Sequence, residues 1–143
     1  MSIAAQARRR TVLSYGTFDL SLPSESQYLR TLSNMGDELI LGCATDAFAD
    51  LHGLDTTTDY AQRRVMLEHC RYVDRVIAQK TIGQIRTDIV NYNVCVFAMD
   101  DAWAGQFDDL QDITQVVYLP RPGGLVNRQR VAAMDPQMYR IAV

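Results

Sequence analysis

Histidine is scarce in this chain. Only His52 and His69 occur among 143 residues, and neither has a second histidine or cysteine at metal-ligand spacing. That excludes a sequence-legible zinc site. Three cysteines, Cys43, Cys70 and Cys95, are odd in number and form no C-x-x-C. They read as buried free thiols of a reducing cytoplasm. No apolar run reaches the ~18 residues of a membrane span. The arginines near the start are followed by no apolar stretch, so no secretory signal is expected. Basic excess is missing as well. Fourteen Lys and Arg against seventeen Asp and Glu give a net charge of −3, which argues against a general nucleic-acid binder.

What remains is 48% apolar, enough for one globular domain with a substantial core. Residues 1–10, with Arg8-Arg9-Arg10, read as a flexible, solvated lead-in. Strands are predicted at Thr11–Tyr15, Glu38–Ala44, Val73–Ala78, Val94–Met99 and Val116–Leu119. Helices are predicted at Pro23–Met35, Asp59–Tyr72 and Ile82–Tyr92, with a last short one at Val126–Met134. Ser21 suits an N-cap, Pro23 a first turn, and Gly36 a left-handed stop. The apolar faces are Tyr28, Leu29, Leu32 and Met35 on the first helix, and Ile82, Ile85, Ile89 and Val90 on the third. Thr45–Thr58 and Asp100–Asp112 read as loops, the second with a short helix. Residues 11–134 form the domain and 135–143 a tail.

Alternating strands and helices predict an α/β domain, a Rossmann-like five-stranded parallel sheet flanked by helices. Ligands of such sheets lie beyond the C-terminal strand ends, at the switch point. Gly16–Asp19, Asp100–Trp103 and Arg121 converge there. The stretch Tyr15-Gly16-Thr17-Phe18-Asp19-Leu20 joins a strand to a helix start through a glycine turn, a geometry that receives phosphate.

Four segments carry a resemblance. Tyr15-Gly16-Thr17-Phe18-Asp19-Leu20, Arg71-Tyr72-Val73-Asp74, Trp103-Ala104-Gly105-Gln106-Phe107-Asp108 and Val117-Tyr118-Leu119-Pro120-Arg121 occur in the order and spacing of the cytidylyltransferase family, within the nucleotidyltransferases. The chain is most similar to the glycerol-3-phosphate cytidylyltransferases. The resemblance implies a cytoplasmic homodimer that binds CTP with Mg2+ and makes a CDP-alcohol with release of pyrophosphate. It implies nucleotide contacts at Gly16, Thr17, Phe18, Asp19, Arg63, Asp101, Trp103 and Arg121.

The chain also departs from that pattern. Where the family carries H-x-G-H, this sequence has Leu22-Pro23-Ser24-Glu25. Leu22 offers no donor, and Glu25 brings a carboxylate toward a polyphosphate. Like charges ~4 Å apart oppose each other by roughly 4 kcal/mol at an effective dielectric near 20, about three orders of magnitude in affinity. Glu25 nevertheless suits a helix first turn. The loop Leu51–Thr56 lacks the family's lysines, G-D-D-W becomes Asp100-Asp101-Ala102-Trp103, and R-x-x-x-I-S-T becomes Arg121–Asn127.

The reading is therefore a catalytically degenerate cytidylyltransferase-like protein, a pseudoenzyme kept as a structural or protein-interaction module. It is expected to have no cofactor, no metal site and no catalytic residues, with a vestigial nucleotide site. Arg63 reads as solvated, Trp103 as packing, Asp19 and Asp101 as turn caps, and His52 as incidental. An active transferase forming CDP-glycerol from CTP, or a non-catalytic cytidine nucleotide sensor, are the alternatives. Met138, Tyr139, Ile141 and Val143 in the tail are candidates for a protein contact.

Overall fold

The computed structural model describes residues 9–20 and 23–120. The N-cap expected at Ser21, the helix at Val126–Met134, the tail, Leu22 and Arg121 lie outside them. Five strands are formed: β1 Thr11–Gly16, β2 Glu38–Ala44, β3 Arg75–Gln79, β4 Val94–Asp100 and β5 Gln115–Leu119. All pair in parallel in the order β3-β2-β1-β4-β5. The chain runs outward from β1 to β3, then crosses to β4 on the other side. The switch point therefore lies between β1 and β4. The third strand begins later than its apolar residues suggest, because Val73 and Asp74 belong to the approach.

Aspartates at the N-terminal strand ends set the register. Asp37 Oδ2 accepts from Arg10 N at 2.9 Å, while the amides of Asp37 and Glu38 donate to Arg10 O. Asp74 repeats the device one strand further out. Its Oδ2 accepts from Leu39 N at 2.7 Å, and its own amide donates to Leu39 O at 2.9 Å. A one-residue slip would turn each strand's side chains over, so such clamps protect the packing of both faces.

Four α-helices are described: α1 Pro23–Ser33, α2 Asp46–Leu51, α3 Tyr60–Glu68 and α4 Gln84–Asn91. One face of the sheet is covered through Tyr28, Leu29 and Leu32 of α1 and Leu67 of α3, packed on Val12, Leu39, Leu41 and Val96. The other meets Ile85 and Ile89 of α4, with Phe107 and Leu110, against Leu13, Tyr15, Ile40 and Phe97. Val90 does not join the apolar face of α4; it is 59% exposed. It follows Ile89 by one residue and so points about 100° around the helix.

Three further expectations are corrected. Thr45–Thr58 is not all loop, because Thr45 Oγ1 accepts from Phe48 N and caps α2. Gly36 is not among the glycines with positive φ. Its smallness serves close approach instead, since a Cβ there would lie 2.6 Å from Arg10 O. Only Cys43 is a buried thiol; Cys70 is half-buried and Cys95 exposed.

Gly42 faces Tyr15 in the β1–β2 register. A Cβ on Gly42 would sit 2.1 Å from Tyr15 Cδ1. The ring has no room to withdraw, because its hydroxyl donates to Asp88 of α4 and it packs edge-on to Phe97. Gly42→Ala is therefore expected to cost ~3 kcal/mol by overpacking, read as a lower urea midpoint with an unchanged slope.

Candidate functional site

The turn after β1 is built from three consecutive constraints. Thr17 turns its carbonyl inward, where Arg63 Nη1 donates to it at 2.9 Å. Phe18 adopts a left-handed φ of 52°, and its ring is fully buried. The ring folds back beneath Gly16, where an added Cβ would lie 3.3 Å from Phe18 Cζ. A bulky residue at positive φ is uncommon, and burial of the ring in the core beside Leu41 and Cys43 offsets its cost. Asp19 comes next, buried, and its carboxylate accepts a hydrogen bond from the Thr57 hydroxyl. The turn therefore rests on Phe18 rather than on glycine freedom at Gly16.

Arg63 is not solvated. Its exposure is 0%, making it the largest fully buried side chain described. Nε donates to Thr58 O at 3.1 Å, Nη1 also approaches Cys43 Sγ at 3.4 Å, and Nη2 pairs with Asp46 Oδ1 at 3.0 Å. Asp46 in turn accepts from Tyr60 N through both oxygens, fastening the start of α3 to the start of α2. One guanidinium thus joins the β1 turn, the end of β2 and the loop before α3. Burial pushes the Cys43 thiol up to about 11, so it stays protonated at neutral pH.

The other convergent segment follows β4. Asp100, rather than Asp101, caps its turn, accepting from Ala102 N at 2.9 Å. Asp101 opens the 3-10 turn Asp101–Trp103. The Trp103 ring lies 5.6 Å from that of Phe107, against the second core cluster. Tyr118 donates to Asp108 at 2.8 Å and accepts from Phe107 N, which ties this loop to β5.

Electrostatically the strand ends are acidic. Asp19, Glu25 in the first turn of α1, and Asp100 are each 9% exposed or less. His52 sits at the C-cap of α2 with its ring 4.2 Å from Phe48. Burial holds its pKa below the usual imidazole range. Lys80, the one lysine of the chain, follows β3. Among the described residues, no group of three or more His, Cys, Asp or Glu gathers as a protein-built metal site requires.

Sequence reasoning missed Asp46, Cys43 and Thr57 as neighbours of the turn. The Thr45-Asp46 pair before Ala-Phe-Ala is an N-cap signal that would have located Asp46. Thr57 carries no comparable signal.

The sequence matches the cytidylyltransferase-like family over residues 13–138. It is 41% identical over 116 residues to the glycerol-3-phosphate cytidylyltransferase of Staphylococcus aureus, covering 81% of this chain and 88% of the relative. It is 40% identical to the glycerol-3-phosphate cytidylyltransferase of Bacillus subtilis, covering 81% and 90%. An FAD synthase of Picrophilus torridus is 30% identical, covering 79% and 86%. The crystal structure of the lipopolysaccharide core biosynthesis protein from Thermoplasma volcanium superposes with a TM-score of 0.65 at 22% identity, covering 79% of this chain and 98% of that one. At that identity the likeness concerns the fold alone.

Two predictions come from this geometry. Arg63→Met leaves the Thr17 and Thr58 carbonyls without their guanidinium donor and is expected to cost about 3 kcal/mol in urea unfolding. Arg63→Lys recovers only part of that, because an ammonium cannot span the positions of Nε, Nη1 and Nη2. The second concerns pH. His52 has a depressed folded pKa, so the unfolded chain binds its proton first. Stability falls as pH drops below about 6.5, the unfolded value. Melting curves at pH 7.5 and 5.5 should show a smaller loss for His52→Asn than for the wild type.

Proposed function

This chain belongs to the cytidylyltransferase-like family, and from that premise we propose that it keeps the family fold as a structural or protein-interaction module without cytidylyl transfer. The observation that carries this reading is the absence of the paired imidazoles. His52 and His69 are too far apart in sequence to form any H-x-G-H. His52 is packed on Phe48, and His69 ends α3 with Nδ1 against Val65 O at 2.8 Å. Such imidazoles stabilise charge on a transferring phosphoryl group through preorganised donors, a contribution of several kcal/mol. By the resemblance Glu25 aligns with the second one, and it lies in a helix first turn where an anion favours the fold.

The same reading accounts for Arg63. A guanidinium committed to two carbonyls and Asp46 is not available to a triphosphate. The buried carboxylates of Asp19, Glu25 and Asp100 oppose a polyanion at the strand ends. The homodimer of the resemblance is part of this proposal, as is a protein partner.

Identity to the relatives favours a second reading. Two proteins at 40% identity or more are glycerol-3-phosphate cytidylyltransferases, and each alignment covers most of both chains. On this reading the chain turns CTP and a phospho-alcohol such as glycerol 3-phosphate into a CDP-alcohol. Backbone amides of the turn would then face the developing charge, with any divalent cation entering as part of the nucleotide substrate.

A pyrophosphate-release assay with CTP, Mg2+ and glycerol 3-phosphate separates the two. The proposal expects the wild type to match the protein-free rate. Stoichiometric pyrophosphate and CDP-glycerol would establish the second reading instead. Leu22→His with Ser24→Gly and Glu25→His provides the comparison. Wild-type turnover equal to that of this variant would mean that the imidazoles are dispensable here.

A further inference from the structure

We infer that the loop between α2 and α3 is a latch in which the Thr57 hydroxyl competes with a hydroxyl-bearing ligand for Asp19. The inference rests on the reading of the β1 turn as a nucleotide turn, active or vestigial. The loop leaves α2 at Gly53, which has a φ of 65° and open space around an added Cβ. It ends at Asp59, whose side chain caps α3 through Gln62 N at 2.9 Å. Between these ends two consecutive threonines meet the turn. Thr57 donates its hydroxyl to Asp19 Oδ2, and Thr58 presents its carbonyl to Arg63 Nε. Thr57 is exposed while Asp19 is buried. The loop thus closes over a carboxylate at the end of the central strand.

Asp19 Oδ2 accepts from a hydroxyl here, so whatever replaces Thr57 on that oxygen must donate. The group that meets Asp19 in this fold is an alcohol. The ligand class is therefore a sugar or polyol hydroxyl, such as a ribose or a glycerol moiety carries. A bound hydroxyl displaces Thr57, and the segment from Gly53 to Thr57 swings aside. The Thr58 carbonyl remains tethered to the fully buried Arg63. While the latch is closed, apparent affinity falls by the fraction of molecules that are open.

The test is calorimetry of the wild type and Thr57→Val with CTP and, separately, with glycerol 3-phosphate. Valine keeps the shape and removes the hydroxyl. The variant is expected to bind at least one of the two about tenfold more tightly. A gain with CTP assigns the ribose hydroxyls; a gain with glycerol 3-phosphate assigns the polyol. Equal or weaker binding of both ligands, or no binding to either protein, overturns the inference. Amide exchange gives a readout independent of ligand. Residues 54–58 should exchange about tenfold faster in Thr57→Val, with a melting temperature only a few degrees lower, and Thr57→Ser should restore the wild-type rate. Exchange in Thr57→Val at the wild-type rate also overturns it. Pyrophosphate release by the wild type would refute the loss of transfer and leave the latch standing. An affinity unchanged by Thr57→Val would remove the latch without bearing on transfer.

Discussion

The buried guanidinium of Arg63 is the interaction on which the rest of the strand-end architecture depends. Burying a charge is costly unless partners replace its water. Here they do: Thr58 O on Nε, Thr17 O and the Cys43 sulfur on Nη1, and Asp46 on Nη2. Each partner belongs to a different segment. The side chain is thus a rivet between the β1 turn, the β2–α2 junction and the loop leading to α3. Without it the left-handed Phe18 would have only the burial of its ring to hold it, and Asp46 would lose its link to the turn. The rivet faces inward. It stabilises a turn geometry through groups of the chain itself.

Other residues in the segments that carry the resemblance likewise have structural partners. Asp74 clamps β3 onto β2 through both directions of the Leu39 backbone. Trp103 and Phe107 close the second core. Phe18 fills the first. Each of these would be kept by packing and hydrogen bonding alone, whatever happened to turnover. Their presence therefore reports the fold.

The sheet was legible because its strands are short apolar runs buried on both faces, a pattern that only helix-covered parallel strands require. Helices with i, i+4 apolar pairs, such as Ile85 and Ile89, were equally plain. The candidate site was read less well. Arg63 looked solvated because it lies among charged neighbours, with Arg64 adjacent. Its burial comes from two carbonyls and a carboxylate brought in from other segments, and no local pattern encodes those. The α2 helix was missed because it has only six residues and its cap lies directly against a strand end. Exposure of Cys95 escaped notice for a related reason: apolar neighbours in β4 suggested burial on both sides, but only Cys95 of that strand is exposed.

Glu25 shows how a helix start can be met by an anion of its own chain. A helix N-terminus stabilises whichever anion lies nearest, whether a ligand phosphate or a side chain of its own. When the first turn supplies its own carboxylate, the dipole contributes to folding stability instead of ligand affinity. Glu25 is nearly buried there, so its charge is poorly screened by solvent. The same logic applies to Asp19 with Thr57 and to the Thr17 carbonyl with Arg63. In each case a polar group at the strand ends is met from within the chain. Contacts of this kind contribute to folding stability whether or not a ligand is bound.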